Sequence, residues 1–343
     1  MAARFSPRLV ALLAVLFIVL GCAGGPGSPG WTPGSGTAAP FLTPAPTPTP
    51  APTAPPAFPV TVTDDEGTAV TITAEPQKIV SITPDATETL FALGVGSRVV
   101  GKVEDVAKYP PEADSIPIVA TFSGVDVEQI VSLGADLVVS AGAGFGQGPA
   151  VEQLRRANIP VLVRYPTTID QALAGFRTLG QAVGAVDAGN KLADDTKAKI
   201  DELAASVANV THKPRLFYEI DTAGGIFTPP ADSIYGEMFR LAGADPIAGG
   251  ANYTISLEDL VAADPEVILL GDSKSVKVED VAKRAGWGGM TAVKEGAIFP
   301  IDDILVTRPG PRLVDGLQAL IQAIQPQLVG SSPGASAGAS AAP

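Results

Sequence analysis

Apolar positions in this chain follow two rhythms, and their alternation lays out the fold. From Pro59 to Thr73, Val60, Val62, Val70 and Ile72 alternate with other residues around Asp64-Asp65-Glu66-Gly67, the pattern of a β-hairpin. Lys78 to Ile82 and Val99 to Val103 are short apolar runs of strand length. Between them Thr83 and Pro84 supply an N-cap and a first-turn proline, and Gly94 closes the helix after Leu93. Leu137 to Val139 and Val267 to Leu270 are unbroken aliphatic runs, as strands become when helices cover both faces of a parallel sheet. Val151 to Ala157 and Pro160 to Val163 add a helix and a strand. Ile169 to Val210 then keeps a helical period through Leu173, Phe176, Leu179 and Val183, and again through Ile200, Leu203 and Val207. It breaks only near Gly184-Ala185-Val186-Asp187, so Asp187 to Ala208 predicts a helix about 30 Å long. A βα pattern resumes with Arg215 to Ile220, a helix near Ser233 to Leu241, a strand over Ala297 to Ile301 and a last helix from Arg312 to Ile324.

One helix–strand unit occurs twice. Val127 to Val139 reads VEQIVSLGADLVV, and Leu257 to Leu269 reads LEDLVAADPEVIL. A glutamate stands second in each copy (Glu128 and Glu258), Ile130 matches Leu260, Val138 matches Ile268, and Asp136 matches Glu266. Asp126 caps the first helix with Gln129 behind it; Ser256 and Asp259 hold the same places in the second. Gly134 stops the first helix and Pro265 helps stop the second. The separation is too long for a solenoid repeat and suits two similar lobes. The expected order is therefore an N-terminal α/β lobe over residues 59–168, connecting helices over 169–210 and a C-terminal α/β lobe over 211–329.

The ends of the chain read differently. Arg4 and Arg8 precede an apolar run from Leu9 to Leu20, short for a membrane span and typical of a signal peptide. Residues 1–21 are assigned to that signal. Val19-Leu20-Gly21-Cys22 resembles a bacterial lipobox, so Cys22, the only cysteine of the chain, is the expected lipidation site and membrane anchor. Residues 22–58 form a tether, since Gly24 to Pro59 carries twelve prolines among Thr, Ala, Gly and Ser. Gly330 to Pro343 is a Ser/Gly/Ala tail expected to be disordered. A net charge of −13 argues against nucleic acid as a partner, and one histidine with one cysteine leaves no clustered ligands for a bare metal site. No cofactor is expected.

Several stretches together resemble the solute-binding proteins of ABC importers that take up ferric siderophores, haem and cobalamin. They are KIVSITPDATETLFALGVGSRVVG, YPPEA at Tyr109 to Ala113, VDVEQIVSLGADLVVS, ISLEDLVAADPEVILL and RPGPRLVDGLQAL, and with the hairpin they span Val60 to Pro326. The resemblance implies an α/β fold of two Rossmann-like lobes, with central, mostly parallel sheets, joined by a single long α-helix, and a ligand cleft between them. It implies an extracytoplasmic, lipid-anchored monomer that hands a metal chelate to an ABC permease dimer with its cytoplasmic ATPase. A ferric siderophore is the first expectation for the chelate, a corrinoid the second and haem the third. Glu128 and Glu258 correspond to the surface glutamates with which such proteins dock on their permease. A binder without a transporter, acting as sensor or scavenger, and a hydrolase on the same scaffold are the alternatives. A Ser-His-Asp arrangement would need His212, the sole histidine, which stands in a connector.

Each candidate residue has a plain reading beside the functional one. A carboxylate in the first turn of a helix gains ~0.3–1 kcal/mol from the helix dipole, which alone would account for Glu128 and Glu258. Each repeated helix runs back from the strand that follows it, so both glutamates should be exposed near the sheet edge where open α/β folds bind ligands. By correspondence with cobalamin-binding relatives, Tyr109 and Phe122 are expected to meet the ligand's rings from the first lobe and Tyr253 from the second. Thr83, Phe145, Phe227 and Thr228 stand in analogous loops. Arg308 could bind an anionic group of the ligand or a structural carboxylate, and Arg312, a cation in a first helical turn, should likewise seek an acid or a ligand. The chain departs from cobalamin binders at Ile304-Leu305-Val306, where they carry polar and aromatic contacts, and at Ala141, near a position where they carry tryptophan. The run Gly142-Ala143-Gly144-Phe145-Gly146 matches no full nucleotide fingerprint and reads as a cleft loop.

Overall fold

The aliphatic runs become the centres of two parallel sheets in a computed structural model that describes residues 58–271 and 276–326. The expected signal segment, Cys22, the expected tether up to residue 57 and the expected tail from residue 330 lie outside the described residues. In the first lobe the hairpin strands β1 (Val60–Thr63) and β2 (Ala69–Ile72) precede β3 (Ile79–Ser81), β4 (Val99–Val103), β5 (Ile118–Thr121), β6 (Gly124–Val125), β7 (Leu137–Ser140) and β8 (Val161–Val163). Its sheet has the order β6-β5-β4-β3-β7-β8, with only the short β6 antiparallel. The second lobe contributes β9 (Arg215–Glu219), β10 (Ile226–Phe227), β11 (Asp245–Pro246), β12 (Thr254–Ile255), β13 (Val267–Leu270) and β14 (Ile298–Pro300). Its parallel sheet runs β11-β9-β13-β14, while β10 and β12 pair separately. β3, β7, β8 and β13 are buried at every residue, as their unbroken apolar composition requires.

Helices cover the sheets: α1 (Pro84–Ala92), α2 (Val127–Leu133) and α3 (Gly148–Arg156) in the first lobe, α4 (Ile169–Ala182) and α5 (Val186–Ser206) between the lobes. In the second lobe α6 (Ile234–Leu241), α7 (Leu257–Ala263), α8 (Val278–Val281), α9 (Thr291–Glu295), α10 (Asp303–Thr307) and α11 (Leu313–Ile324) follow. The caps stand where the sequence put them: Thr83 accepts from Ala86 N, Asp126 from Gln129 N and Ser256 from Asp259 N. One stop differs. Asp264 itself adopts the left-handed conformation (φ 46°) that ends α7, with Pro265 only following it.

The repeat is a repeat in space as well. Asp136 accepts the N–H groups of Gln77 and Lys78 at 2.8 and 2.9 Å, which anchors β7 to the start of β3. Glu266 accepts the N–H of Arg215 at 3.0 Å and anchors β13 to β9 in the same way. The cation on the first strand then turns to the helix end: Lys78 Nζ donates to Leu133 O, and Arg215 Nε to Ala263 O. Positive charge at the carbonyl end of a helix is favoured by the helix dipole. The acid of each copy thus fixes the strand and the cation fixes the helix. His212 is spent here, on Glu266 Oε1 at 2.9 Å.

The expected long helix is α5, and α4 lies antiparallel beside it. Ile169 to Phe176 of α4 and Ile200 and Val207 of α5 belong to the second lobe's core. Leu179, Ala182 and Val183 belong to the first lobe's core. The two helices approach closely because Gly180 and Gly189 face each other. A Cβ on Gly189 would stand 2.7 Å from Phe176 O and 3.1 Å from Gly180 Cα. Replacing Gly189 by leucine should lower stability by about 1–3 kcal/mol through overpacking, more than the ~1 kcal/mol gained in helix propensity. Urea unfolding checks this; a midpoint equal to or above the native one would show that the helices do not touch there.

Candidate functional site

A cavity of about 1130 Å³ opens between the lobes. Loops at the carboxyl ends of the first sheet's strands build one wall, including those after β3 and β7, between which the strand order reverses. The loop after β7 is held by Gln147, whose Oε1 accepts from Ser140 Oγ and Ala141 N while its Nε2 donates to Ile82 O. Glu66 of the hairpin adds a bond to Ala143 N at 2.9 Å. The glycine-rich run therefore folds as a braced turn, and Phe145 projects from it. The opposite wall comes from the segment entering α6, from Tyr253 and from α10.

Of the residues marked in the sequence, Thr83, Phe122, Phe145, Tyr253, Arg308 and Glu128 line this cavity. Phe122 is 93% exposed and Phe145 57%, and their ring centroids lie 6.4 Å apart. Two large apolar rings kept in solvent at the mouth of a cleft form a surface that only a partner would cover. Tyr253 takes a left-handed backbone (φ 63°), which costs a non-glycine residue ~1–2 kcal/mol. Bonds from Tyr253 N to Gly250 O and from Thr228 N to Tyr253 O hold it there.

Four of the marked residues stand apart from that group. Tyr109 does not line the cavity; the Arg312 guanidinium lies 4.1 Å above its ring centroid and occupies that face. Thr228 is fully buried, with its hydroxyl directed to Ile247 O, and Phe227 pairs with Thr254 in the antiparallel β10–β12 ladder; neither reaches the cavity. Arg308 does reach it, but its guanidinium is already engaged. Nη2 meets Asp105 Oδ1 at 2.5 Å, and Nη1 meets Asp105 Oδ2 and Glu88 Oε1, both at 3.0 Å.

That engagement crosses the cleft. Glu88 lies in α1 and Asp105 just after β4, both in the first lobe. Arg308 ends α10 and Arg312 caps the start of α11 in the second. Arg312 completes the cluster with Nε and Nη2 on Glu88 at 3.0 and 2.6 Å. Glu88 is 2% exposed, and sequence reasoning missed it because a lone glutamate in a helix ordinarily faces water. Burial opposes ionisation of Asp105, but the bonds and charge of Arg308 outweigh it and hold the carboxyl below its ordinary 3.8. For Arg312 the bond to Glu88 is the leading influence and raises its pKa.

Sequence reasoning also missed Arg164, Tyr165 and Tyr235, which line the same cavity. The signal was available: Arg164-Tyr165 directly follows the apolar strand β8, at the carboxyl edge used to choose the other loops. Burial pushes the Tyr235 and Tyr253 phenols up, so both stay protonated as hydrogen-bond donors. Glu128 and Glu258 are both exposed in the first turns of α2 and α7. They are not equivalent, since only Glu128 lines the cavity.

Two parallel-sheeted lobes, bridged by a helix pair and closed over a cleft, define the periplasmic binding class of protein. The chain belongs to the periplasmic binding protein family, whose model matches residues 79–305. It is 32% identical over 275 residues to an uncharacterised ABC transporter substrate-binding lipoprotein of Bacillus subtilis, covering 78% of this chain and 86% of that one. It is 28% identical over 280 residues to a cobalamin-binding protein of Halobacterium salinarum, covering 78% of this chain and 74% of that one. A periplasmic haem-binding protein of Roseiflexus, in its apo form, superposes with a TM-score of 0.62 at 27% identity, covering 73% of this chain and 99% of the other.

Removing one partner of a buried ion cluster leaves uncompensated charge, so Glu88→Gln should cost about 3–5 kcal/mol in unfolding experiments. A loss under ~1 kcal/mol would mean the cluster behaves as an ordinary surface pair. Because the Asp105 pKa is depressed, its contribution is fully present above its unfolded value and is lost as pH falls through the folded one. The melting-temperature gap between native protein and Asp105→Asn should therefore be constant from pH 7 to 5 and shrink below about pH 4. A gap that widens on acidification would contradict this.

Proposed function

We propose that this protein is the extracytoplasmic, lipid-anchored solute-binding component of an ABC importer for a large metal chelate, with a corrinoid as the favoured cargo. The observation that carries the reading is the interlobe cavity, about 1130 Å³, larger than the ~300–1,000 Å³ of drug-sized sites. Its mouth carries the exposed Phe122–Phe145 pair, and Tyr253 faces in from the other lobe, as flat or ring-rich cargo requires.

The order of cargo changes from the expectation that put ferric siderophores first. Relatives named for cobalamin favour a corrinoid. The exposed rim acids Glu104, Asp126, Glu128 and Asp232 favour it too, because they repel polyanionic chelates. Delivery follows the resemblance: Glu128 and Glu258, one on each lobe, dock on the two permease subunits. Cys22 carries the lipid, and the proline-rich tether gives the binding domain reach from the membrane.

Trp287 is buried beside Phe217 in the second lobe and is no reporter of the cleft, so calorimetry on the purified domain is the direct assay. One-to-one binding of cobalamin is expected, with Phe122→Ala and Tyr253→Ala each weakening it by about tenfold or more. Binding of haem or a ferric siderophore alone would replace the corrinoid; binding of none would overturn the importer reading. In cells, Glu258→Lys should abolish uptake while cobalamin affinity stays native, because Glu258 lies outside the cavity. Undiminished uptake by Glu258→Lys and Glu128→Lys together would remove the docking assignment.

A further inference from the structure

The cavity floor holds a second arginine that the ion cluster does not use. Arg164 is 4% exposed and lines the cavity. Its guanidinium lies against the backbone of α4, where residue 175 is glycine. A Cβ at that position would fall 1.9 Å from Nη2 and 2.0 Å from Cζ, so the seat exists only because no side chain fills it. Asp65 and Asp85 stand near enough to offset part of its charge, but neither accepts a hydrogen bond from it. The nearest carboxylate oxygen is Asp65 Oδ2, 3.8 Å from Nε and beyond hydrogen-bond reach. That same oxygen accepts the Tyr165 N–H at 2.7 Å. Nε is buried with no hydrogen-bond partner. A guanidinium presents five donors, and a buried donor left unmade destabilises the fold unless something else completes it.

The surroundings narrow what that can be. Asp85 shares the cavity wall, and burial raises its carboxyl pKa despite the bond from Thr83 and the charge of Arg164. The carboxylates at the rim are exposed and repel negative charge at the entrance. A polyanion is opposed there, whereas one localised anionic group on an otherwise uncharged or cationic molecule meets a donor fork at the floor.

We propose that Arg164, seated on Gly175, binds a single oxyanion of the ligand, a carboxylate or a phosphate, and so selects chelates that carry one. This rests on the reading of the cleft as a chelate site, and the test separates the two.

Calorimetry on native protein, Arg164→Gln, Arg164→Lys and Gly175→Ala would use paired probes. Cobinamide phosphate and cobinamide differ in the phosphate; haem and its dimethyl ester differ in the carboxylates. Native protein should prefer the oxyanion form of one pair by about tenfold or more. Arg164→Gln should bring that ratio within about twofold, Arg164→Lys should restore part of it, and Gly175→Ala should mimic the glutamine variant by displacing the guanidinium. The pair that responds tells phosphate from carboxylate. Circular dichroism keeps misfolded variants out of the comparison.

A second readout needs no chelate. The Arg164 Nε–H resonance, assigned by its loss in Arg164→Lys, should shift on titration with inorganic phosphate. A shift without chelate binding would retain the anion site and discard the chelate reading. An unchanged ratio in a folded Arg164→Gln, or a resonance indifferent to phosphate in the absence of any chelate binding, would overturn the proposal.

Discussion

A carboxylate with almost no solvent around it must be matched by cations that stay in place, and Glu88 sets that condition for the whole molecule. It projects from α1 of the first lobe and accepts from Arg308 and Arg312 of the second. The solvation lost by three or four buried charges is large, and only multiple well-aligned bonds offset it. Separating the lobes would break those bonds across the cleft. The helix pair α4–α5 imposes a parallel constraint in apolar terms, because residues of α4 are built into both cores. A cleft held by a shared helix pair at its back and a charge cluster across it has a defined width, and cargo must fit that width.

The cluster also determines which groups remain for cargo. Two arginines reach the cavity, and by type alone either would suit an anion. What faces each decides the matter. Arg308 points both Nη atoms at carboxylates, so using it for ligand would leave Asp105 without its arginine and take one of the three arginine bonds from Glu88. Arg164 has no bond of that kind to lose. The stacking of Arg312 on Tyr109 follows from the same cluster: the guanidinium is positioned by Glu88, and the ring lies beneath its other face. Two residues that looked like ligand contacts thus belong to the joint between the lobes.

The fold was legible because its signals are local. Thr83, Asp126 and Ser256 announce helix starts by their own chemistry, and the aliphatic runs at β7 and β13 can only be strands covered on both sides. Even the pairing of Asp136 with Glu266 held a structural meaning, since each acid ties two neighbouring strands together at the same point of its lobe. The site was legible only where a loop position suffices. Phe122 and Phe145 reach the cleft because their loops do. Tyr109, Arg308 and Thr228 turned on which neighbour a side chain meets, and those neighbours are residues up to 220 positions away in the chain, as between Glu88 and Arg308. No local pattern encodes that distance.

The repeat carries the same division between frame and use. In both copies the acid, the strand and the helix end are joined by equivalent bonds, so duplication explains the frame. The first-turn glutamates have diverged in surroundings: Glu128 borders the cavity and Glu258 does not. A carboxylate at the cavity edge contributes to the field that incoming cargo meets, whereas one elsewhere on the surface is screened within about 8–10 Å at ordinary salt. Glu128 therefore adds to the field at the cleft, and Glu258 stands outside it.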